Sequence, residues 1–132
     1  MILVDANVIF DIWIPDPTWF VWSLAQLRRL SPLHDLVINP IIYSEISVSF
    51  TTPHNLDKKL EELGIGVLSL SRSAAFLAGK AHQQYRRRGG IKTNVLADFF
   101  IGAHAATLSC ALLTRDTRCY SSYFPTVSLI AP

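Results

Sequence analysis

Apolar and polar positions alternate along this chain on two length scales. Five short runs are apolar almost throughout and are bounded by polar or turn-forming residues: Met1–Val4, Leu36–Ile38, Val67–Leu70, Ala111–Thr114 and Val127–Ile130. Such runs read as strands buried on both faces, as in a parallel sheet. Between them, apolar residues recur at helical spacing. Val8–Ile14 is apolar except for Asp11, and Asp16-Pro17 then suits an N-cap and a first helical position, which predicts a helix over Thr18–Leu30. Pro40 opens a helix carrying Ile41, Ile42, Glu45, Ile46 and Val48. Thr52 or Asn55 caps Leu56–Leu63, which Gly64 ends. Ser71 or Ser73 caps a long helix that closes in Arg86-Arg87-Arg88-Gly89-Gly90, and Thr93 or Asn94 caps Val95–Leu108. Cys119–Phe124 is a short turn or helical segment. The order is β-α-α-β-α-α-β-α-α-β-β or close to it. It predicts an α/β fold with a mainly parallel sheet covered on both faces, as one domain over residues 1–132.

Composition changes this picture little. Half of the 132 residues are hydrophobic and 17% are charged, which excludes a disordered chain. A formal charge of +2 permits a nucleic-acid partner without requiring one. The two cysteines, Cys110 and Cys119, have no metal-ligand spacing and suit a reducing compartment. With no basic leader, Asp5 in the first segment and no bilayer-length apolar run, the expectation is a soluble cytoplasmic protein with no membrane partner. Trp13, Trp19 and Trp22 concentrate in the first third, as core packing or as an interface.

Four carboxylates sit where charge is costly. Asp5 ends the first apolar run, and Glu45 interrupts an apolar helix. Asp98 is the only acidic residue in Val95–Ala106, which is apolar nearly all round, and Asp116 follows the Ala111–Thr114 run. Buried carboxylates must be paired, protonated or metal-bound. The cations are mostly elsewhere; only Lys92 and Arg115 lie near any of the four. Convergence on one divalent cation explains all four together, and hard oxygen donors favour Mg²⁺ or Mn²⁺ over zinc. In a parallel sheet, Asp5 and Asp116 stand at strand carboxyl ends, where such folds build their sites, and helices running back antiparallel bring Glu45 and Asp98 to the same rim. Arg86, Arg87, Arg88 and Lys92 lead into the Asp98 helix. They suit phosphate backbones, or simply decorate a helix C-terminus. His34, His54, His82 and His104 show no paired ligand spacing; His104, on the Asp98 helix, is the one worth testing.

These motifs resemble a family. Met-Ile-Leu-Val-Asp-Ala-Asn-Val-Ile-Phe-Asp resembles the start of PIN domains, in particular the VapC-type toxins of toxin–antitoxin pairs. Pro-Ile-Ile-Tyr-Ser-Glu-Ile, Leu-Ala-Asp-Phe-Phe-Ile-Gly-Ala-His-Ala-Ala and Leu-Leu-Thr-Arg-Asp resemble the segments carrying that family's second, third and fourth acidic residues. The resemblance covers essentially the whole chain. It implies a three-layer α/β/α sandwich and a Mg²⁺- or Mn²⁺-dependent endoribonuclease. Asp5, Glu45, Asp98 and Asp116 would be catalytic and would bind the metal, with Asn7 and Thr114 in support. Arg86, Arg87, Arg88, Lys92 and Arg115 are the candidate RNA contacts. A small antitoxin would be the partner, and a homodimer the assembly. Cys119 departs from relatives that carry a further acidic residue there, and Asp116 occupies the position most tolerant of change.

Two other readings fit parts of the sequence. A phosphotransferase using Asp5 as nucleophile would want a general acid two residues on, where Asn7 stands. A non-catalytic partner-binding module could use the tryptophan-rich first third.

Overall fold

A computed structural model describes all 132 residues, and the elements follow the predicted alternation. They are β1 (Ile2–Val4), α1 (Ala6–Trp13), α2 (Phe20–Leu30), β2 (Leu36–Ile38), α3 (Pro40–Ser47), α4 (Pro53–Leu63), β3 (Ile65–Val67), α5 (Arg72–Arg87), α6 (Leu96–Leu108), β4 (Ala111–Leu113), α7 (Arg118–Tyr123) and β5 (Leu129–Ile130). The five strands form one sheet in the order β3-β2-β1-β4-β5, every neighbouring pair parallel. With helices packed over the sheet this is an α/β/α sandwich.

Strand order fixes where a site can form. The chain starts in the middle of the sheet, steps outward through β2 to β3, then crosses back to β4 on the other side of β1. The reversal lies between β1 and β4, and in open parallel sheets the crevice forms beyond the carboxyl ends of those strands. Val4 pairs with Leu113, and the Asp5 amide donates to the Leu113 carbonyl at 2.9 Å. Asp5 and Thr114 therefore leave the sheet side by side.

Local chemistry sets most boundaries. Asn39 caps α3 by accepting from the Ile42 amide at 2.9 Å, with Pro40 next in line. Thr52 caps α4, which begins at Pro53, earlier than the periodicity suggests. Gly64 ends α4 at φ 69°, a conformation that favours glycine. Ser71 caps α5 by accepting from Ala74. Asp16 accepts from the Thr18 and Trp19 amides at 2.8 Å, so it caps a turn from which α2 starts only at Phe20.

Three expectations need correction. The third strand is Ile65–Val67, not Val67–Leu70, because the chain enters the sheet directly from the Gly64 turn. Helix α6 has no side-chain cap; Thr93 and Asn94 lie in the loop before it. The last strand is the pair Leu129–Ile130.

Apolar residues from all five strands' neighbourhood and from the inner faces of the helices fill one core. Small residues let the layers close. Ala74, Ala78 and Ala81 are the buried face of α5, and Gly102 of α6 lies under the Phe124 ring. A methyl at Gly102 would overlap that ring, which is buried and packs edge-on against Phe99. In an open helix Gly→Ala gains about 1 kcal/mol. Here overpacking costs about 1–3 kcal/mol and outweighs it. Gly102→Ala is therefore expected to lower the urea midpoint with an unchanged m-value; a raised midpoint would show that the Phe124 ring yields freely.

Candidate active site

Asp5 is buried, with 6% of its surface exposed. Burial raises its pKa, and the charge of Asp116 adds to the rise. Hydrogen bonds from the Thr114 and Tyr120 side chains and the Ala6 backbone work against that. Thr114 Oγ1 donates to Asp5 Oδ2 at 2.7 Å, Tyr120 OH at 3.2 Å and Asn7 Nδ2 at 3.3 Å. All three engage the same oxygen, and none engages Oδ1. Asn7, the second residue of α1, also reaches Thr114 Oγ1 at 3.3 Å. Asn7 and Thr114, the two supporting candidates, both bond Asp5 directly. Tyr120 was not anticipated; it sits in a short helix whose sequence carries no sign that its hydroxyl turns inward.

The other three carboxylates approach from separate elements. Glu45 lies on α3 and Asp98 in the first turn of α6; both are half-buried. Glu45 is pushed up to about 7 by burial, then by the charges of Asp5 and Asp98. Asp98 is pushed up to about 6 by burial and by Asp5 and Asp116, against a smaller opposing pull from Lys92. The four therefore share one electrostatic neighbourhood with too little positive charge. They are not yet a closed cage: as the side chains stand, no three acidic, histidine or cysteine groups converge tightly enough to hold one ion. Asp116 is exposed and accepts from the Arg118 amide at 3.1 Å, so one of its oxygens caps the start of α7.

His104 does its work by position. It is 2% exposed on α6, and burial lowers its pKa. Its Nδ1 lies 3.2 Å from Asn39 Nδ2, so the neutral ring accepts there. The same Asn39 caps α3, so this contact ties together the two helices that carry Glu45 and Asp98.

Arg115 differs from its expected role. Rather than standing free for a phosphate, its guanidinium forks onto Asp11, Nε to Oδ2 at 2.8 Å and the terminal nitrogen to Oδ1 at 2.9 Å. Ser23 Oγ adds a 2.6 Å bond to Asp11, and Trp19 packs against the guanidinium. The Arg115 amide also donates to Asn7 Oδ1 at 3.2 Å. Arg115 is thus the bolt that holds the Asp116 loop to α1. Asp11 had registered only as a break in an apolar run; its partner lies 104 residues away.

Of the remaining basic residues, Arg86, Arg87 and Arg88 are exposed at the end of α5. Arg88 lies over the Tyr123 ring. Lys92 lines a cavity of about 240 Å³ shared with Asp98, Asp116 and Arg118. A second, fully polar cleft lies across Asp116 and Arg118, beside Asn7 and Arg115.

The family model of the PIN domain matches residues 2–124. The chain belongs to the PIN-domain family. No curated protein matches it significantly. Solved structures add the fold. VapBC2 from Rickettsia felis, bound to a DNA fragment from its promoter, is similar at 20% identity with a TM-score of 0.73, over 100% of this chain and 99% of that one. VapBC-1 from nontypeable Haemophilus influenzae gives 21% and 0.71, over 99% and 98%. FitAcB from Neisseria gonorrhoeae gives 24% and 0.70, over 98% and 96%. In this PIN domain Asp5, Glu45, Asp98 and Asp116 come from the end of β1, α3, α6 and the loop after β4, and the charges of Asp5, Asp98 and Asp116 bear on their neighbours there.

Two outcomes test the site's construction. Asp11 is 2% exposed at the side chain while Arg115 is 26% exposed. Arg115→Met would strand a buried carboxylate, at a cost of about 3 kcal/mol or more. Asp11→Asn leaves an arginine free to turn to water, at a smaller cost of about 1 kcal/mol. Chemical denaturation should show that order, and the reverse order would mean that the arginine, not the carboxylate, is the trapped charge. The second outcome concerns pH. Glu45 and Asp98 hold protons in the folded chain to about 7 and about 6, against ordinary values of 4.5 and 3.8. The folded state thus binds more protons than the unfolded chain, and stability from these groups is present below pH ~4 and lost as pH rises towards ~7. Glu45→Gln should flatten the fall in melting temperature across that window when metal is absent; an unchanged slope would remove Glu45 from the coupled set.

Proposed function

We propose that this PIN domain is a Mg²⁺- or Mn²⁺-dependent endoribonuclease acting as the toxin of a toxin–antitoxin pair. The observation that carries the proposal is Asp5: a buried carboxylate at the switch point, pinned through one oxygen by three donors, facing Glu45, Asp98 and Asp116 across an unneutralised acidic rim. The donor set fits a hard divalent cation, since every candidate ligand is a carboxylate oxygen and the charges repel one another in its absence. Asp5 and Asp98 would hold the ion, with Glu45 and Asp116 turning in from half-buried and exposed positions.

A bound divalent ion supplies charge neutralisation at the phosphodiester and a water acidic enough to attack near neutral pH. The chain's own residues do the rest. Thr114, Tyr120 and Asn7 keep the Asp5 carboxylate fixed, and the first two favour its charged form. Arg115 keeps the Asp116 loop against α1. Lys92 and Arg118 line the adjoining cavity, where they suit the phosphates flanking the cut. Asn7 makes a poor general acid, and its amide is already spent on Asp5 and Thr114, which speaks against phosphoryl transfer to Asp5.

The toxin role is supported by near full-length likeness to chains from VapBC and FitAB structures. On this reading a small antitoxin is the partner that blocks the rim. A homodimer and a cytoplasmic setting complete the reading and rest on the family resemblance. No helix is long and apolar enough to cross a membrane.

Asp5→Asn should keep the circular dichroism spectrum and lose RNA cleavage by roughly a hundredfold or more. Chelator should abolish wild-type cleavage and Mg²⁺ or Mn²⁺ restore it. Mg²⁺ should also raise the melting temperature more at pH 8 than at pH 5, because protonated Glu45 and Asp98 cannot bind it. Full cleavage by Asp5→Asn, or cleavage indifferent to chelator, would sink the proposal.

A further inference from the structure

We propose that the cavity between α5, α6 and α7 is a nucleobase subsite, which receives one unpaired base beside the phosphate at the acidic rim. It rests on the nuclease reading above and adds to it what the enzyme grips.

Position comes first. Asp98 and Asp116 belong both to the acidic rim and to the wall of this cavity, so whatever fills it lies next to the reacting phosphate. Its size, about 240 Å³, falls below that of pockets built for larger ligands, roughly 300–1,000 Å³, and suits a single planar ring system.

The lining is aromatic at the centre and cationic at the margin. Phe99 is fully buried, while Tyr85 and Tyr123 are half-buried. Their centroids lie 5.1–6.0 Å apart in edge-on or tilted pairs. Tyr85 also stacks on His82, with centroids 6.2 Å apart, and Arg88 lies over Tyr123, so one face of each ring is engaged and a base would take the other. Base–aromatic stacking is tolerant of sequence because every base has a π-face. The platform is preorganised. The Tyr85 hydroxyl accepts from the Lys92 amide at 3.0 Å, and Gly90 lies so close to that ring that a methyl there would overlap it. The same bond sets Lys92 at the cavity, with Arg118 on another part of the wall and Arg88 over Tyr123. A bare phosphate would need only these cations. Aromatic rings and cations together fit a base still attached to its phosphates. A base within a duplex is stacked and paired, so the subsite selects single-stranded segments or a base that has been turned out.

The test separates this inference from the nuclease reading. Adenosine, guanosine, cytidine and uridine 5′-monophosphates, with ribose 5-phosphate as the base-free probe, are titrated into ¹⁵N-labelled protein in EDTA. At least one nucleotide should shift amides in Tyr85–Lys92 and Cys119–Tyr123 in a saturable way, while ribose 5-phosphate does not. Tyr123→Leu should weaken that binding roughly tenfold or more. An equal response to ribose 5-phosphate, or unchanged affinity in Tyr123→Leu, would overturn the subsite. With metal present, mapping of cleaved RNA ends should show that Tyr123→Leu relaxes base preference at one position beside the cut, while Tyr123→Phe retains it. Active Tyr123→Leu with unaltered preference would remove the subsite and leave the nuclease standing. Nucleotide binding without cleavage of any RNA would support the subsite and remove the nuclease.

Discussion

A carboxylate at the end of the central strand has to be satisfied by whatever surrounds it, and in this chain much of the architecture serves that need. Asp5 leaves β1 beside Thr114, and the neighbouring backbone is already bonded strand to strand. Each donor to its carboxylate comes from a different element: Asn7 from α1, Thr114 from the end of β4, Tyr120 from α7. A polar group removed from water without partners costs several kcal/mol, so these elements cannot separate without exposing that cost. The network is therefore structural before it is chemical.

The same rim concentrates like charge. Glu45 and Asp98 are raised first by burial and then by their acidic neighbours, and Lys92 offsets little of it. Proteins commonly hold such arrangements where function needs them, at some expense in stability. The compensation here is mechanical. The Asp11–Arg115 fork, with Ser23, braces one side of the rim, and the Asn39–His104 contact braces the other. Neither brace touches the acidic centre's own charges, and each joins two elements that carry site residues.

The sequence disclosed what depends on near neighbours. Parallel strands appear as wholly apolar runs, so β1, β2 and β4 were legible almost to the residue. Ser71, Pro40 and Gly64 act through their own backbone, so their roles were legible too. Asp5, Glu45, Asp98 and Asp116 stood out because charge in an apolar context has few explanations. What was not legible depends on pairings across the sheet. Nothing in Thr-Arg-Asp says that Arg115 finds Asp11, because that pairing needs α1 and the β4 loop to be adjacent. Tyr120 looks like any half-apolar helix residue until the fold turns its hydroxyl onto Asp5. Strand β3 was misplaced because Gly64 and Gly66 look like turn on either side of Ile65, while Val67–Leu70 looks more like strand.

The location of β1 in the middle of the sheet has a consequence for how the protein is made. Asp5 is made before the residues that satisfy it: Thr114 and Tyr120 lie 109 and 115 positions later. A ribosome emits the chain from its N-terminus, so β1 can pair with β2 long before β4 exists. Until then one edge of the central strand is open and the Asp5 carboxylate lacks two of its three side-chain donors. A nascent chain therefore carries its first acidic residues without a formed network, which closes only once α7 has been made. On the proposed ribonuclease reading, the order of assembly alone withholds cleavage until α7 has emerged.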